Sequence, residues 1–167
     1  MSLLIESGDI FACRSNTWLS DAIDDVTGHG GFSHIAICSK GDPGVRVTEA
    51  LQHVVVTKLE DLLARETHVR LLKPPLTPEQ RLAAVNTLAK MLGRAYNYPD
   101  ILLQLADSVA GTRWFTEHWT DWKKDGPICS LLGILADPSI GLVTEDATPN
   151  DIVGLAQVQR WPQEDLQ

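Results

Sequence analysis

The sequence predicts an α+β domain built around an antiparallel sheet. Three observations point there. Short runs rich in β-branched and apolar residues are separated by turn residues, one helix is strongly capped, and strands and helices do not alternate as a parallel sheet requires. The chain has 167 residues, enough for one domain with a sizeable core, and its 44% apolar and 22% charged residues are an ordinary globular balance. No repeat, low-complexity tract or linker divides it, so residues 1–167 are read as a single domain.

Taken in order, "DIFACRS" (9–15) reads as a short strand. "TWLSDAIDDVTG" (17–28) reads as a short helix, with Trp18, Ala22 and Val26 at helical spacing and Gly28 as its stop. "SHIAICS" and "VRVTEA" read as two strands joined by "KGDPG", whose glycines and proline signal a turn. "HVVVTKL" and "HVRLLK" add two strands, and "EDLLARE" between them supplies one or two helical turns. The clearest helix is "TPEQRLAAVNTLAKMLG" (77–93). Thr77 is a good N-cap, Pro78 suits the first helical position and Gln80 completes a capping box. Leu82, Val85, Leu88, Ala89 and Leu92 form its expected apolar face, and Gly93 ends it. Further helices are expected over "PDILLQLADSVAG" and "RWFTEHWTDWKK", and a short buried helix opens at or near Cys129. "ATPNDIVGLAQVQRW" reads as a turn and a final strand.

Bulk properties exclude several functions. A net charge of -8 argues against nucleic acid or an anionic membrane surface as the main partner. No stretch approaches the roughly 20 apolar residues of a membrane span. The N-terminal "MSLLIESGDI" is not a Sec signal, so the chain is expected to start in the cytoplasm, with any export following another route or phage-driven lysis. The three cysteines, Cys13, Cys38 and Cys129, are too few and too scattered for a disulfide framework, and no CxxC suggests structural zinc. No metal and no organic cofactor is expected.

Three residues carry candidate chemistry. Cys129, at a helix N-terminus, would have its thiolate stabilised by free N–H groups and the helix dipole, and the same groups could hold an oxyanion. The plain alternative is a buried structural cysteine. His34 opens its strand and could take the thiol proton and later protonate a leaving group; the alternative is a hydrogen-bonded sheet histidine. Glu49 favours the first reading. Folding the hairpin about Gly41 and Asp42 pairs Cys38 with Val45, Ala36 with Val47 and His34 with Glu49. The carboxylate then faces the imidazole at about 5 Å between Cβ atoms and orients it as the third member of a triad.

These residues resemble the NlpC-type cysteine peptidases of the papain-like superfamily, in the circularly permuted branch that includes the YiiX/YebB-like proteins. In the unpermuted arrangement the cysteine helix comes first, then a Gly-Asp strand, the histidine strand and a strand with a third polar residue. Here "SGDIF" leads, followed by "GGFSHIAI" and "VTEAL", with "ICSLLG" last; "GRAYNYPD" and "ATPNDI" flank the cysteine as in the permuted branch. The resemblance runs from Gly8 to Ile152. It implies a permuted papain-like fold with Cys129 as nucleophile, His34 as base and acid, and Glu49 as orienting residue. The branch usually has an acidic residue two places after the cysteine, where this chain has Leu131.

His29, Ser33 and Tyr96 are candidate substrate-binding residues, each with a plain alternative: a solvated loop histidine, a strand-entry serine and a core tyrosine. Trp114, Trp119 and Trp122 could wall a groove for acyl chains or sugars, or pack a core. The resemblance implies amide hydrolysis through an acyl-enzyme, with a peptidoglycan stem peptide as substrate. A lipid acyl hydrolase or acyltransferase of the same fold, and a non-catalytic binding module, are the other two readings.

Overall fold

A computed structural model of the chain describes residues 4–15, 31–94 and 149–166. Among the described residues six strands form one sheet: β1 (Ile10–Arg14), β2 (His34–Lys40), β3 (Arg46–Ala50), β4 (Val54–Lys58), β5 (His68–Leu72) and β6 (Gln163–Asp165). Their order across the sheet is β4-β3-β2-β1-β5-β6, and every neighbouring pair is antiparallel. Three helices accompany them among the described residues: α1 (Leu59–Arg65), α2 (Pro78–Met91) and α3 (Pro149–Val158). The architecture is α+β on an antiparallel sheet, as the strand and turn pattern predicts. The expected helices over 17–28 and within 95–148 lie outside the described residues.

Alternation along the central strands divides the core in two. Ile10, Ala12, Ile35, Ile37 and Leu72 face one way and pack with Ala84, Leu88 and Met91 of α2 and Ile152, Val153 and Ala156 of α3. Phe11, Cys13, Ala36, Cys38, Val47, Val69 and Leu71 face the other way and pack with Leu62 of α1. Because β1 and β2 sit mid-sheet, their apolar side chains are covered on both faces, which explains the near-continuous apolar runs of "IFAC" and "IAIC".

The capping box at α2 forms as read. Thr77 accepts from the Gln80 N–H at 3.3 Å, and the Gln80 side chain accepts from the Thr77 N–H at 2.9 Å. The apolar face does not: Leu82 is 62% and Leu92 45% exposed, while Ala84, Leu88 and Met91 are buried. The helix is rotated so that Arg81, on the Ala84–Leu88 stripe, reaches the buried carboxylate of Asp9. The rotation buries Ala84, Leu88 and Met91 and seats the charge pair in the same stripe, which the expected apolar face does not register.

Two further expectations are corrected. Residues 149–158 form α3, not a strand, with Ile152, Val153 and Ala156 buried at helical spacing. The final strand is the polar "QED" of β6, whose pairing with β5 needs no apolar alternation. The β2–β3 register also differs: Ala36 pairs with Glu49 and Cys38 with Val47, and an irregularity follows between Cys38 and Lys40. The turn therefore lies one residue later than Gly41–Asp42, and the pairing slips by two. A two-residue slip keeps every side chain on its own face, so Glu49 and His34 still share a surface.

Candidate functional site

His34 is the first residue of β2, an interior strand, so its imidazole lies at the strand's end rather than at an edge of the sheet. It stands opposite Cys13 of β1. On its other side Glu49 is a diagonal neighbour, one pairing step beyond the Ala36–Glu49 pair. Diagonal side chains are farther apart than opposed ones, but a glutamate can span the gap. It does: the Glu49 Oε2 lies 3.0 Å from His34 Nε2, with the histidine side chain 20% exposed and the glutamate wholly buried. The carboxylate accepts, so Nε2 carries the donated proton. Among the described residues Nδ1 has no partner.

Glu49 takes two more donors. The Thr57 hydroxyl of β4 donates to Oε1 at 2.7 Å, and Arg65, the last residue of α1, donates from Nη2 to Oε2. Burial pushes the Glu49 carboxyl up, but hydrogen bonds from His34, Thr57 and Arg65 outweigh it and hold the group at about 2. Glu49 is therefore a fixed anion at any ordinary pH, able to orient the imidazole and stabilise its charged form. Arg65 also donates from Nε to Glu66 Oε1 at 2.9 Å, and the Ser15 hydroxyl donates to the other oxygen of Glu66.

Sequence reasoning places His34 and Glu49 together correctly but misses Thr57, Arg65, Glu66 and Ser15. "EDLLARE" carries a usable signal. Leu62 and Arg65 are three apart on one helix face, so burying Leu62 against the sheet carries Arg65 to the same surface. Ser33 is buried, and its N–H donates to the Cys13 carbonyl at 3.0 Å, which fits the strand-entry reading. Cys129, His29 and Tyr96 lie outside the described residues, as do Leu131 and the tryptophans Trp114, Trp119 and Trp122. The other two thiols are poor nucleophiles. Burial raises Cys13 well above the ordinary thiol range, with the Glu66 and Glu49 charges adding to it, and burial pushes Cys38 up to about 12.

Two of the short motifs meet in space. The Phe32 N–H of "GGFSHIAI" donates to the Asn150 side chain of "ATPNDI" at 3.1 Å, across 118 residues of chain. "SGDIF" explains itself physically. Gly8 has φ +86, and a Cβ there would meet Leu76 and Arg81, while the Asp9 that follows is the buried anion for Lys73 and Arg81.

Fold and site together describe an α+β protein on an antiparallel sheet that carries a braced histidine–carboxylate pair at the end of a central strand. No protein-family model matches the chain, and no curated protein matches it. Among solved structures it is similar to the crystal structure of metalloprotein yiiX from Escherichia coli O157:H7, with 22% identity and a TM-score of 0.50. That similarity covers 66% of this chain and 69% of the other. At this identity the likeness speaks for fold alone, and it agrees with a YiiX-like α+β architecture. No helix among the described residues is long and apolar enough to cross a membrane.

Proposed function

We propose that this chain is a thiol hydrolase that cleaves an amide bond, with Cys129 as nucleophile, His34 as base and acid, and Glu49 as the orienting anion. The observation that carries the reading is the 3.0 Å His34–Glu49 hydrogen bond through Nε2, which leaves Nδ1 for a second partner. In this scheme Nδ1 takes the Cys129 thiol proton and the sulfur attacks the carbonyl carbon. The C–N bond breaks as His34 returns that proton to the leaving amine. Water then attacks the thioester, His34 accepts its proton, and the acid product leaves as the thiol re-forms. The permuted papain-like order of the motifs supports the same scheme and suggests a peptidoglycan stem peptide as substrate.

The neighbouring yiiX protein is described as a metalloprotein. The described residues here do not fit a metal. No group of three His, Cys, Asp or Glu among them could hold an ion. Both Glu49 oxygens already accept donors, one of them a guanidinium whose charge a cation would have to displace.

Iodoacetamide at neutral pH tests the reading directly. Cys129 is expected to label faster than a free thiol and to slow markedly in His34→Ala, while Cys13 and Cys38 stay unlabelled in the folded protein. Labelling of Cys129 at the rate of an ordinary thiol would sink the hydrolase and leave a binding module. Mass spectrometry of products from purified peptidoglycan and, in parallel, lipid extracts then reads the bond. Cleaved stem peptides support the amidase, and freed fatty acids move the assignment to acyl esters.

A further inference from the structure

We infer that Arg65 is a positioning residue for the His34–Glu49 pair, held in place by Glu66 and Ser15. The inference rests on the catalytic role proposed above for His34. Glu49 opposes Ala36, not His34, so its side chain must lean along the sheet to reach the imidazole. A flexible glutamate has several rotamers, and a diagonal contact is easily lost. Two donors act against that. Thr57 holds Oε1 from the neighbouring strand, and Arg65 holds Oε2, the oxygen that also accepts from His34. Arg65 is itself braced, because its Nε donates to Glu66 Oε1 at 2.9 Å and the other oxygen of Glu66 accepts from Ser15. Glu66 is buried and follows the last residue of α1, so the end of that helix sets where the guanidinium stands. A chain of hydrogen bonds thus runs from Ser15 through Glu66, Arg65 and Glu49 to the imidazole, and every link is a charge-assisted or charge-paired contact.

A purely structural tie between α1 and the sheet would use the same contacts, so the test must read the imidazole itself. In the unsubstituted protein the His34 Nε2–H, donated to Glu49, is expected to give a downfield ring-proton resonance protected from exchange with water, assigned by its loss in His34→Gln. In Arg65→Ala that resonance is expected to broaden away, and Arg65→Lys is expected to restore part of it. Cys38, still unlabelled by iodoacetamide, certifies that each variant is folded. Arg65→Gln, which keeps an amide donor without the charge, replaces the alanine variant should that one unfold. A folded Arg65→Ala or Arg65→Gln protein that keeps the protected ring proton overturns the inference. Cys129 labelling is read in the same samples and is expected to slow about tenfold, the scale on which one hydrogen bond to a charged group contributes. Slow labelling in the unsubstituted protein would count against the hydrolase, whereas the ring proton reports on Arg65 whatever the thiol does.

Discussion

Glu49 shows how a buried carboxylate can be kept charged. Desolvation alone would favour its neutral form, yet three donors from β2, β4 and α1 hold it at about 2, against an ordinary value of 4.5. The folded value is depressed, so the stabilisation is complete above the ordinary carboxylate range and is lost as pH falls from 4.5 towards 2. The shift corresponds to about 3 kcal/mol. Urea midpoints are expected to fall more steeply between about pH 5 and pH 2.5 for the unsubstituted protein than for Glu49→Gln; parallel curves would refute this. Thr48 is the opposite case, a buried hydroxyl with no hydrogen-bond partner among the described residues. Thr48→Val removes that unmet group at nearly constant shape and is expected to stabilise the fold by about 1 kcal/mol, measured as a raised urea midpoint at unchanged slope. The His34–Glu49 pair was legible in the sequence because only the parity of the register had to be right. Of the Arg65 brace only the shared helix face with Leu62 was legible, because nothing local to "EDLLARE" names a partner 16 residues away.

At the scale of elements, α3 is where local reading failed and where its ending is most specific. Gly154 and Val153 weaken the helical signal, but Ile152, Val153 and Ala156 need a helix to bury together against the sheet. The helix closes with the two bonds of a Schellman motif, Trp161 N–H to the Ala156 carbonyl at 2.9 Å and Arg160 N–H to the Gln157 carbonyl at 3.2 Å. The left-handed position falls on Arg160, at φ +56, where glycine is usual. Relief of about 1–2 kcal/mol of backbone strain exceeds the ~0.4–1 kcal/mol that glycine's extra freedom costs in the unfolded chain. Arg160→Gly is therefore expected to raise the melting temperature by a few degrees, and a lowered one would show that the side chain contributes more than its backbone strain. At α2 the caps were readable because each lies within three residues of the helix end. Its rotation was not, because the stripe it buries includes Arg81, whose partner Asp9 lies 72 positions away.

For the whole molecule, two polar clusters stand at opposite ends of the central strands. One surrounds Glu49, near the start of β2. The other surrounds Asp9, which is fully buried, 2.6 Å from Lys73 Nζ and 2.9 Å from Arg81 Nη1, and joins the entry of β1 to the end of β5 and the first turns of α2. Removing one partner of a buried ion pair leaves the others uncompensated, so Asp9→Asn is expected to cost about 3 kcal/mol. Denaturant unfolding should show that loss while the His34 ring proton survives; loss of the proton in a folded Asp9→Asn protein would mean the clusters are coupled. The sequence by itself determined the fold class, the ends of α2, the five apolar-rich strands and the shared face of His34 and Glu49, because periodicity, caps and parity are local rules. Tertiary structure alone decided the β2–β3 register, the rotation of α2, the helical state of residues 149–158 and the recruitment of Arg65. Each of those depends on burying a charge or an apolar side chain against a partner distant in the chain, and such a preference has energy only once the partner is in place.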